Sequence, residues 1–482
     1  METVPNYIGG QWVPSRSPER LDVFNPALGT VIARTPLSTR EEVDLAVRAA
    51  AKAFPAWRDT SPAARARVMF TFRARLEARL EELAGIITTE NGKTLGEARG
   101  SVRRGIECVE VACGAPSLLM GAGLENVSPG IDCHLVRQPL GVAAVIAPFN
   151  FPAMVPLWFL PFALAAGNTL VLKPSERVPL SMKRVFELLA ECDLPAGVAN
   201  LVNGARDVAD ALCEHPGVRA VSFVGSTAAA RHVYQMASHA GKRVQALGGA
   251  KNFMVIMPDA DLERAMPAIT ESFFGCAGER CLAGAVLLPV GSMHAHVRVQ
   301  MVEAARALRV GDGGDARVTM GPVISAAHRQ RVVEFIEKGV AEGAKLLLDG
   351  RGLKVAGRSK GFFLGASVFD EVAPSMTIAR EEIFGPVASI CAAYDLDEAL
   401  AIMDAHPNAN AASIFTSSGK AAREFSRRAA CSMVGVNIGV AAPMAYFPFG
   451  GARDSFFGDL KVHGRDAFEF YTDKKVTISR WI

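Results

Sequence analysis

Apolar and charged residues follow a helical period over residues 40–115. Apolar positions recur three or four residues apart within each segment, and charged positions fill the opposite side. One segment ends at Asn91 and Gly92, which is typical of a helix stop because glycine readily adopts left-handed backbone angles. The pattern therefore predicts amphipathic helices with one face towards a core and the other towards solvent.

Short apolar runs separated by helical segments replace this pattern from residue 141 onwards. Six such runs are GVAAVIAPF, NTLVLKP, ANLVNG, AVSFVGS, KRVQALGG and FMVIMP. Strands that are apolar throughout and joined by helices indicate a parallel sheet with both faces covered. The pattern resumes after residue 280, so the sequence predicts an α/β fold with two doubly wound parallel-sheet domains.

The closing segment, FEFYTDKKVTISRWI, alternates like an exposed edge strand and carries aromatic residues to its end. An unpaired strand of this kind can join a strand of another subunit. We therefore expect a small β oligomerisation element in addition to the two sheet domains. The connections along the chain are short, so no flexible linker is expected between these units.

The length and charge of the chain limit the classes of protein to which it can belong. With 482 residues it exceeds one ordinary core, and its net charge of +3 is too evenly spread for a nucleic-acid partner. One uncharged stretch, Gln138 to Leu172, is long enough to span a bilayer. Prolines interrupt it, and Asn150 and Asn168 would be buried in lipid, so we expect two strands and a short helix there instead.

Cysteine usage and the N-terminal pattern both favour a cytoplasmic protein without a membrane partner. The nine cysteines include no CxxC pair. The nearest pairs, Cys108 with Cys113 and Cys276 with Cys281, are too widely spaced for a zinc knuckle and have no companion histidines. We therefore expect free thiols and no metal site. The first residues lack the basic start and apolar core of a secretory signal.

Candidate ligand-binding groups follow the predicted strands, where a doubly wound sheet usually binds its ligand. In FVGST a strand ends at Gly225, and Ser226 can cap a helix whose free N–H groups would face an anion. A GxGxxG dinucleotide motif is not present in the sequence to support this interpretation. In LKPSE, Lys173 and Glu176 can bind ribose hydroxyls or simply face water.

Cys281 is the strongest candidate for covalent chemistry. It lies between small residues in AGERCLAG, which leave room for a substrate, and Arg280 next to it can favour the thiolate. The alternative is a buried and inert cysteine, which is the more frequent role of this residue type. Asn150 in APFNFP follows a buried strand, where its amide can donate to an oxyanion or can merely form a turn.

Six motifs occur in a fixed order along the chain, namely PFNFP, LKPSE, FVGST, LGGAKN, AGERC and EEIFGPV. Together they resemble the NAD(P)-dependent aldehyde dehydrogenase superfamily, and the resemblance extends from YIGGQWV near the start to KKVTISRW at the end. It implies that Cys281 is the nucleophile and Asn150 the oxyanion donor. The cofactor-binding residues that it implies are Phe149, Lys173, Glu176, Arg177, Gly225, Ser226, Glu382 and Phe384.

The glutamate that activates water in this superfamily normally precedes LGG, and Ala246 occupies its position here. The sequence resembles the methylmalonate-semialdehyde dehydrogenase branch, which acylates coenzyme A. The shared features are LGGAKN without the glutamate, PFNFPAMVPLW, GSVRRGIECVE and PMAYFPFGG. The resemblance implies oxidation and decarboxylation of (methyl)malonate semialdehyde, with acyl transfer from Cys281 to coenzyme A as co-substrate. The products would be propionyl-CoA or acetyl-CoA, carbon dioxide and NADH.

A substrate with a carboxylate calls for guanidinium groups, and the resemblance points to Arg103 and Arg280. One face of the helix that contains SVRRGIE can look inward, so Arg103 and Arg104 are not both expected to bind. The alternative for Arg103 is a solvated helix charge. The runs NIGVAAP and GGARDS differ from the forms typical of the branch, which leaves the substituent on the semialdehyde open.

Cofactor choice, domains and assembly follow from the same resemblance. NAD is favoured because the carboxylate of Glu176 would repel the 2′-phosphate of NADP. A homodimer or homotetramer is implied, with strands near residues 125–138 and 468–480 at the subunit contacts. The expected units are an NAD-binding domain at 1–119 and 140–248, a catalytic domain at 249–445, and an oligomerisation element at 120–139 and 446–482.

Two other functions are compatible with parts of this pattern. A hydrolytic aldehyde dehydrogenase would use another base and release a free acid. A binding protein could keep the fold and lose catalysis, but the joint presence of Cys281, Asn150 and Glu382 argues against this, since a scaffold needs none of them. The two enzymatic alternatives differ in whether water or coenzyme A accepts the acyl group.

Overall fold

The computed structural model describes residues 2–481 of the chain. The strands are β1 (Asn6–Ile8), β2 (Gln11–Val13), β3 (Arg20–Asn25), β4 (Thr30–Pro36), β5 (Ala122–Ser128), β6 (Ile131–Pro139), β7 (Val142–Ile146), β8 (Thr169–Lys173), β9 (Ala199–Leu201), β10 (Val218–Val224), β11 (Arg243–Leu247), β12 (Asn252–Ile256), β13 (Gly284–Pro289), β14 (Lys345–Leu348), β15 (Ser367–Asp370), β16 (Val387–Ile390), β17 (Asn408–Ala409), β18 (Ala411–Phe415), β19 (Met433–Val436), β20 (Ala452–Arg453), β21 (Phe456–Phe457) and β22 (Thr472–Arg480). The helices are α1 (Arg40–Asp59), α2 (Pro62–Ala78), α3 (Leu80–Asn91), α4 (Leu95–Cys113), α5 (Ala115–Leu118), α6 (Met154–Leu157), α7 (Leu160–Ala165), α8 (Leu180–Ala190), α9 (Arg206–Glu214), α10 (Thr227–His239), α11 (Leu262–Phe274), α12 (Met293–Arg306), α13 (Ala326–Ala341), α14 (Thr377–Arg380), α15 (Leu396–Asp404), α16 (Gly419–Arg428) and α17 (Gly464–Tyr471). A 3₁₀ helix at Gly275–Gly278 follows α11.

Two large sheets organise the molecule. The eight-stranded sheet has the order β2-β1-β9-β8-β7-β10-β11-β21, and its central neighbours from β9 to β11 are parallel. The seven-stranded sheet has the order β14-β15-β16-β13-β12-β18-β19, with parallel neighbours from β15 to β19. All residues of β7, β8 and β12 are buried, as their continuous apolar runs predict. The predicted α/β fold with two parallel-sheet domains is confirmed.

Helices α1 to α4 occupy the region of predicted helical periodicity. Thr94 caps α4 in a capping box, in which its hydroxyl accepts from Glu97 N–H and the Glu97 carboxylate accepts from Thr94 N–H. Helix α3 ends at Asn91, and Gly92 follows it with a left-handed φ of 94°. This confirms the predicted helix stop, because a side chain at Gly92 would be strained there.

The uncharged stretch from Gln138 to Leu172 contains β7, α6 and α7 and runs into β8. Its helical apolar residues lie in one core of the eight-stranded sheet, and alternate strand residues such as Val142, Ala144 and Val171 lie in the core on the other face. Within residues 2–481, no helix combines the length and the apolar character that crossing a bilayer requires. The proline-interrupted run therefore forms two buried strands and two short helices. The sequence predicts the two strands but only one helix.

The closing part of the chain is shared between two sheets. Strand β22 pairs antiparallel with β6 along its whole length, and β6 pairs with β5 to complete a three-stranded sheet. Strand β21 instead pairs with β11 and forms the edge of the eight-stranded sheet. The expected oligomerisation element at 446–482 is therefore divided, because its first part completes a sheet of the other unit. Residues 1 and 482 of the expected units lie outside the described residues.

The turn in QALGGAKN connects the two large sheets. It follows β11 of the eight-stranded sheet and leads directly into β12 of the seven-stranded sheet. The carboxyl ends of β7, β8 and β10 meet the same crevice as this turn and the loop before β13. The fold therefore brings the candidate groups of both sheets to one place.

Candidate active site

Two cavities meet at Cys281, and this residue lines both of them. The first, named the sheet cavity, has a volume of about 710 Å³. It lies at the carboxyl ends of β7, β8, β10 and β11 and is lined in part by Ile146, Lys173, Val224 and Gly248. The second, named the helix cavity, has a volume of about 480 Å³ and is lined in part by Arg104, Trp158, Arg280, Phe449 and His463. One thiol is therefore accessible to ligands in two separate spaces.

The backbone at Cys281 is held firmly by its surroundings. Nδ2 of Asn252 and Nδ2 of Asn410 each donate to the Cys281 carbonyl oxygen at 3.0 Å. In the 3₁₀ helix before it, Cys276 and Ala277 both adopt left-handed angles, with φ of 50° and 53°. Such angles are costly for residues other than glycine and persist only where neighbouring structure imposes them. The nucleophile candidate therefore occupies a rigid and locally strained loop.

Burial controls the ionisation of the Cys281 thiol. Protein surrounds the sulfur and raises its pKa to about 11. The amide of Asn150 acts in the opposite direction, because its Nδ2 lies 3.6 Å from Sγ and donates to the thiolate form. The ammonium group of Lys93 also favours the thiolate. At neutral pH the thiol of the protein alone is therefore almost wholly protonated.

Asn150 is fixed in place from two sides. Its Nδ2 donates to the main-chain carbonyl oxygen of Glu279 at 3.0 Å, and its main-chain carbonyl oxygen accepts from Lys93 Nζ at 2.6 Å. The Lys93 side chain is buried and its ammonium lies 3.8 Å from the centre of the Phe151 ring. A preorganised amide donor beside the thiol is the arrangement that stabilises an oxyanion formed by attack of Cys281.

The Arg280 guanidinium does not approach Cys281, although the two residues are neighbours in sequence. Its Nε donates to Cys276 Sγ at 3.3 Å, and its Nη2 donates to Glu271 Oε1 at 2.7 Å. Glu97 Oε1 lies 3.5 Å from the same Nη2. The expected contact of Arg280 with the nucleophile is wrong, because the two carboxylates and Cys276 fix the guanidinium elsewhere. Arg280 nevertheless lines the helix cavity.

The eight residues expected to bind the cofactor all line the sheet cavity. They are Phe149, Lys173, Glu176, Arg177, Gly225, Ser226, Glu382 and Phe384. Lys173 is buried at the end of β8, and its Nζ donates to the carbonyl oxygens of Pro174 and Gly204 at 2.7 Å each. Glu176 Oε2 lies 3.4 Å from the same ammonium group. The alternative in which Lys173 faces water is therefore wrong, since its ammonium is enclosed by protein.

The sheet cavity fits a dinucleotide such as NAD. Ser226 caps α10, and its side chain accepts from Ala229 N–H, while the first turn of this helix carries no acidic residue. A helix of this length with a glycine at its entrance, Gly225, presents free N–H groups and a partial positive charge to a pyrophosphate. The carboxylate of Glu176 suits the hydroxyl groups of a ribose.

Gly249, the second glycine of QALGGAKN, permits a close approach to Glu382. A Cβ on Gly249 would lie 2.5 Å from Glu382 Oε2, so a side chain at this position would displace the carboxylate. Glu382 Oε1 accepts from Ala250 N–H at 2.9 Å, which fixes the carboxylate at the wall of the sheet cavity. The turn therefore holds the Glu382 carboxylate at the wall of the cavity that Cys281 also lines.

The helix cavity contains Arg104 and excludes Arg103. Arg103 forms a surface ion pair with Glu77 at 2.6 Å, and its side chain is 44% exposed. Arg104 lines the helix cavity and donates to Glu107 Oε2 at 3.1 Å. The expectation for Arg103 is wrong, because consecutive helical residues differ by about 100° in direction and packing turns the face of Arg104 inward.

Ala246 is fully buried in β11, opposite Phe223 of the parallel strand β10. In the part of the chain that the structure describes, it contributes to the wall of neither cavity. A carboxylate is therefore not supplied from this position. No group of three or more potential metal ligands occurs within residues 2–481.

Sequence reasoning missed Lys93, Arg104 and His463. Lys93 follows a helix stop, where a charged residue normally faces water, and no local pattern distinguishes it from a solvated lysine. Arg104 is one of two adjacent arginines. The helical period predicts that only one of them faces inward but does not show which one. His463 precedes Gly464 in the loop before α17, and its left-handed φ of 75° is not visible in the sequence.

The chain is similar to known aldehyde dehydrogenases over almost its whole length. The sequence model of the aldehyde dehydrogenase family matches residues 12–477. Malonate-semialdehyde dehydrogenase 1 of Geobacillus kaustophilus is 51% identical over 476 residues, which cover 99% of this chain and 97% of that protein. Malonate-semialdehyde dehydrogenase of Halalkalibacterium halodurans is 48% identical and covers 100% and 99% of the two chains.

Two solved structures have nearly the same fold. Methylmalonate-semialdehyde dehydrogenase from Oceanimonas doudoroffii superimposes with a TM-score of 0.98 at 45% identity and covers 100% of this chain and 99% of its own. A protein from Sinorhizobium meliloti, provisionally assigned as methylmalonate-semialdehyde dehydrogenase and solved in complex with NAD, has a TM-score of 0.99 at 43% identity. It covers 100% of this chain and 98% of its own.

Proposed function

This chain belongs to the aldehyde dehydrogenase family, as its motifs predict, and we propose that it is an NAD-dependent oxidoreductase acting on malonate or methylmalonate semialdehyde. We further propose that the acyl group loses carbon dioxide and passes from Cys281 to coenzyme A, giving acetyl-CoA or propionyl-CoA. The observation that carries the proposal is the position of Cys281 between two cavities. The sheet cavity fits a dinucleotide, and the helix cavity holds the guanidinium of Arg104 for a carboxylate.

Oxidation begins with the Cys281 thiolate. Its sulfur forms a bond to the aldehyde carbon, and the carbonyl π electrons move to the oxygen. The Asn150 amide donates to this oxyanion, and the contact with Lys93 keeps the amide in place. NAD held in the sheet cavity would accept the hydride that leaves the aldehyde carbon as the oxyanion collapses to a thioester on Cys281. Burial opposes ionisation of the thiol, and the Asn150 amide and the Lys93 ammonium group stabilise the thiolate that attacks.

Decarboxylation follows from the position of the substrate carboxylate. Once the aldehyde carbon is a thioester, the carboxylate is β to an electron-poor carbonyl group. Breaking the bond to the carboxyl carbon releases carbon dioxide and leaves the electron pair in a thioester enolate, which then takes up a proton at its α carbon. The Asn150 amide that stabilised the first oxyanion is also placed to stabilise the enolate oxygen.

The carboxylates near Cys281 are engaged elsewhere, which supports a thiol as the acyl acceptor. Glu382 accepts from Ala250 N–H, and Glu279 accepts from Ile324 N–H at 3.1 Å. Burial raises the pKa of Glu279 to about 8, so at neutral pH the larger share of this carboxyl group is protonated and cannot accept a proton from water. Water needs a base before it attacks a thioester, whereas a partly ionised thiol needs much less help. Ala246 supplies no carboxylate, as noted above.

Cofactor choice, domains and assembly also belong to this proposal. The carboxylate of Glu176 in the sheet cavity supports NAD over NADP by charge repulsion. The units proposed are an NAD-binding domain at 1–119 and 140–248 and a catalytic domain at 249–445. Exposed apolar side chains on the three-stranded sheet support subunit contacts there, in a cytoplasmic homodimer or homotetramer. They include Leu124, Val476, Ile478 and Trp481.

Coenzyme A is expected to be required for turnover. Purified protein with NAD and malonate semialdehyde should form NADH continuously and acetyl-CoA only when coenzyme A is present. Without it, NADH should stop after about one equivalent per Cys281, because the thioester has no acceptor. Desulfo-coenzyme A, which lacks the thiol, is the matched control and should not restore turnover. Rapid formation of free acid without coenzyme A would instead support the hydrolytic alternative.

Arg104 and Arg103 provide a matched pair for the substrate carboxylate. Arg104→Leu should lower kcat/KM for malonate semialdehyde by about 10- to 100-fold, the value of a hydrogen bond to a charged group. Arg103→Leu should leave it within about two-fold, because its ion pair with Glu77 is on the surface. Steady-state NADH formation measures both variants. Equal losses of kcat/KM in the two variants would show that Arg104 does not bind the substrate carboxylate specifically.

A further inference from the structure

His463 is a buried titratable group that the reaction described above does not use. Its side chain lines the helix cavity together with Arg104 and Cys281, and it is only 4% exposed. Neither ring nitrogen has a hydrogen-bond partner among residues 2–481. Buried polar groups are nearly always hydrogen-bonded, so an imidazole in this state at a cavity wall is suited to a polar group of a ligand.

The walls around His463 fix the direction of its ring. The ring centre lies 5.0 Å from Trp158 with the planes nearly perpendicular, and 5.6 Å from Phe449. Its backbone has a left-handed φ of 75°, which is rare and costly for a residue other than glycine. Gly464 N–H donates to the Ala445 carbonyl oxygen at 3.0 Å and holds the loop that carries the imidazole. The ring is therefore preorganised at the cavity wall.

A neutral imidazole is the form that the site favours. Burial lowers the pKa of His463 to about 3, and the positive charge of Arg104 acts in the same direction. A group with this pKa is a poor general base at neutral pH. It retains one N–H donor and one acceptor nitrogen. The chemistry available at this position is therefore hydrogen bonding to a ligand and not removal of a proton from coenzyme A.

Arg104 has few donors left for a carboxylate. Its Nη1 is directed to Glu107 and to the sulfur of Met444, and its Nη2 to the carbonyl oxygens of Ala442 and Pro443. Within the described chain, its Nε–H is the donor without a protein partner. A carboxylate has two oxygens and is held in one orientation when each of them accepts a hydrogen bond. A second donor beside this arginine would fix the orientation of a bound carboxylate.

We propose that His463 donates a hydrogen bond to the carboxylate of the bound semialdehyde, next to Arg104. The inference rests on the proposed function, because that function supplies the carboxylate. It assigns His463 a role in substrate specificity, since an aldehyde without a carboxylate leaves both donors unused. The rigid aromatic walls formed by Trp158 and Phe449 would exclude water from this contact and strengthen it.

The test compares two aldehydes of equal chain length, malonate semialdehyde and propanal. His463→Leu should lower kcat/KM for the semialdehyde by about 10- to 100-fold, the range of a hydrogen bond to a charged group. It should change kcat/KM for propanal much less. A loss of the same size with both aldehydes, or with neither, would overturn the role of His463.

Two further variants separate donation from a structural role. His463→Gln keeps a side-chain N–H and should recover part of the preference for the semialdehyde. His463→Asn also carries an amide, on a shorter side chain, so the two amide variants remain informative if the leucine variant does not fold. Thermal unfolding and NAD affinity report on the fold of each variant. The ratio of kcat/KM for malonate semialdehyde to kcat/KM for propanal should be higher in both amide variants than in the leucine variant. If it is not, His463 does not act by donating a hydrogen bond.

Malonate itself provides a probe that does not depend on turnover of the semialdehyde. It should inhibit propanal oxidation by the wild-type protein, and His463→Leu should weaken this inhibition by a factor similar to its effect on the semialdehyde. If coenzyme A is not used but malonate inhibition depends on His463, the acyl acceptor in the proposed function is wrong and the inference stands. If coenzyme A is used but His463→Leu does not change the inhibition by malonate, the role of His463 is wrong and the proposed function is unaffected.

Discussion

Replacement of Cys281 by alanine is expected to abolish NADH formation from malonate semialdehyde. The sulfur is the atom that would bond to the aldehyde carbon, and no other thiol lines both cavities in the described chain. Removal of a covalent nucleophile lowers kcat by about 10⁴-fold or more in enzymes of comparable mechanism. NAD affinity should remain, because the eight residues of the sheet cavity that are expected to bind NAD are untouched. NADH absorbance and NAD titration measure the two effects.

The control for this variant is another buried cysteine. Cys192 lies two residues after α8, where its thiol donates to the Leu188 carbonyl oxygen, and among the described residues it lines neither cavity. Cys192→Ala should retain activity within about two-fold, with at most a modest loss of stability. NADH formation by Cys281→Ala at the wild-type rate would show that the proposed nucleophile is wrong. It would then leave a non-covalent oxidation as the remaining mechanism.

Replacement of Asn150 by alanine should have the second largest effect. Loss of one preorganised oxyanion donor lowers kcat by about 10²- to 10³-fold. KM should change much less, because the amide interacts more strongly with the developing charge than with the neutral aldehyde. Steady-state kinetics with malonate semialdehyde and saturating NAD measure this separation of kcat from KM. The same variant should also slow alkylation of Cys281, since the amide favours its thiolate.

Asn150→Asp is the matched test of donation at this site. Aspartate has nearly the same shape but offers no N–H when it is ionised, and its charge would oppose an adjacent oxyanion. It should therefore be at least as impaired as the alanine variant. An aspartate variant close to wild type would show that Asn150 acts by shape alone. Thermal unfolding shows whether a variant has lost activity because its structure is destabilised. Such destabilisation is expected if the main role of Asn150 is its hydrogen bond to the Glu279 carbonyl oxygen.

Local pattern was sufficient to predict the elements of the fold. The six apolar runs identified in the sequence became β7 to β12, and the region of helical period became α1 to α4. These predictions succeed because a buried strand and an amphipathic helix each impose their own spacing on apolar residues. The strand β12 nevertheless belongs to the second sheet. No local feature of QALGGAKN indicates that the chain passes from the first sheet to the second within this turn.

The resemblance to a family supplied eight candidate cofactor residues that share one cavity, and the arginine pair shows the limit of such a resemblance. All eight expected cofactor residues line one cavity, because strand ends and helix starts recur at fixed places in a doubly wound sheet. Arg103 and Arg104 carry the same charge in the same helix. Only the packing of α4 against α2, α3 and α6 decides which of them turns inward.

The sequence by itself determined the fold class, the family, the nucleophile candidate Cys281 and the absence of an acid at Ala246, because each is carried by residue types at short spacing. The tertiary structure alone decided the rotation of Arg104, the burial of Lys93 behind Asn150 and the orientation of His463 at the cavity wall. These depend on contacts between residues far apart in the chain. Their energies come from desolvation and packing, which no local pattern of apolar and polar residues records.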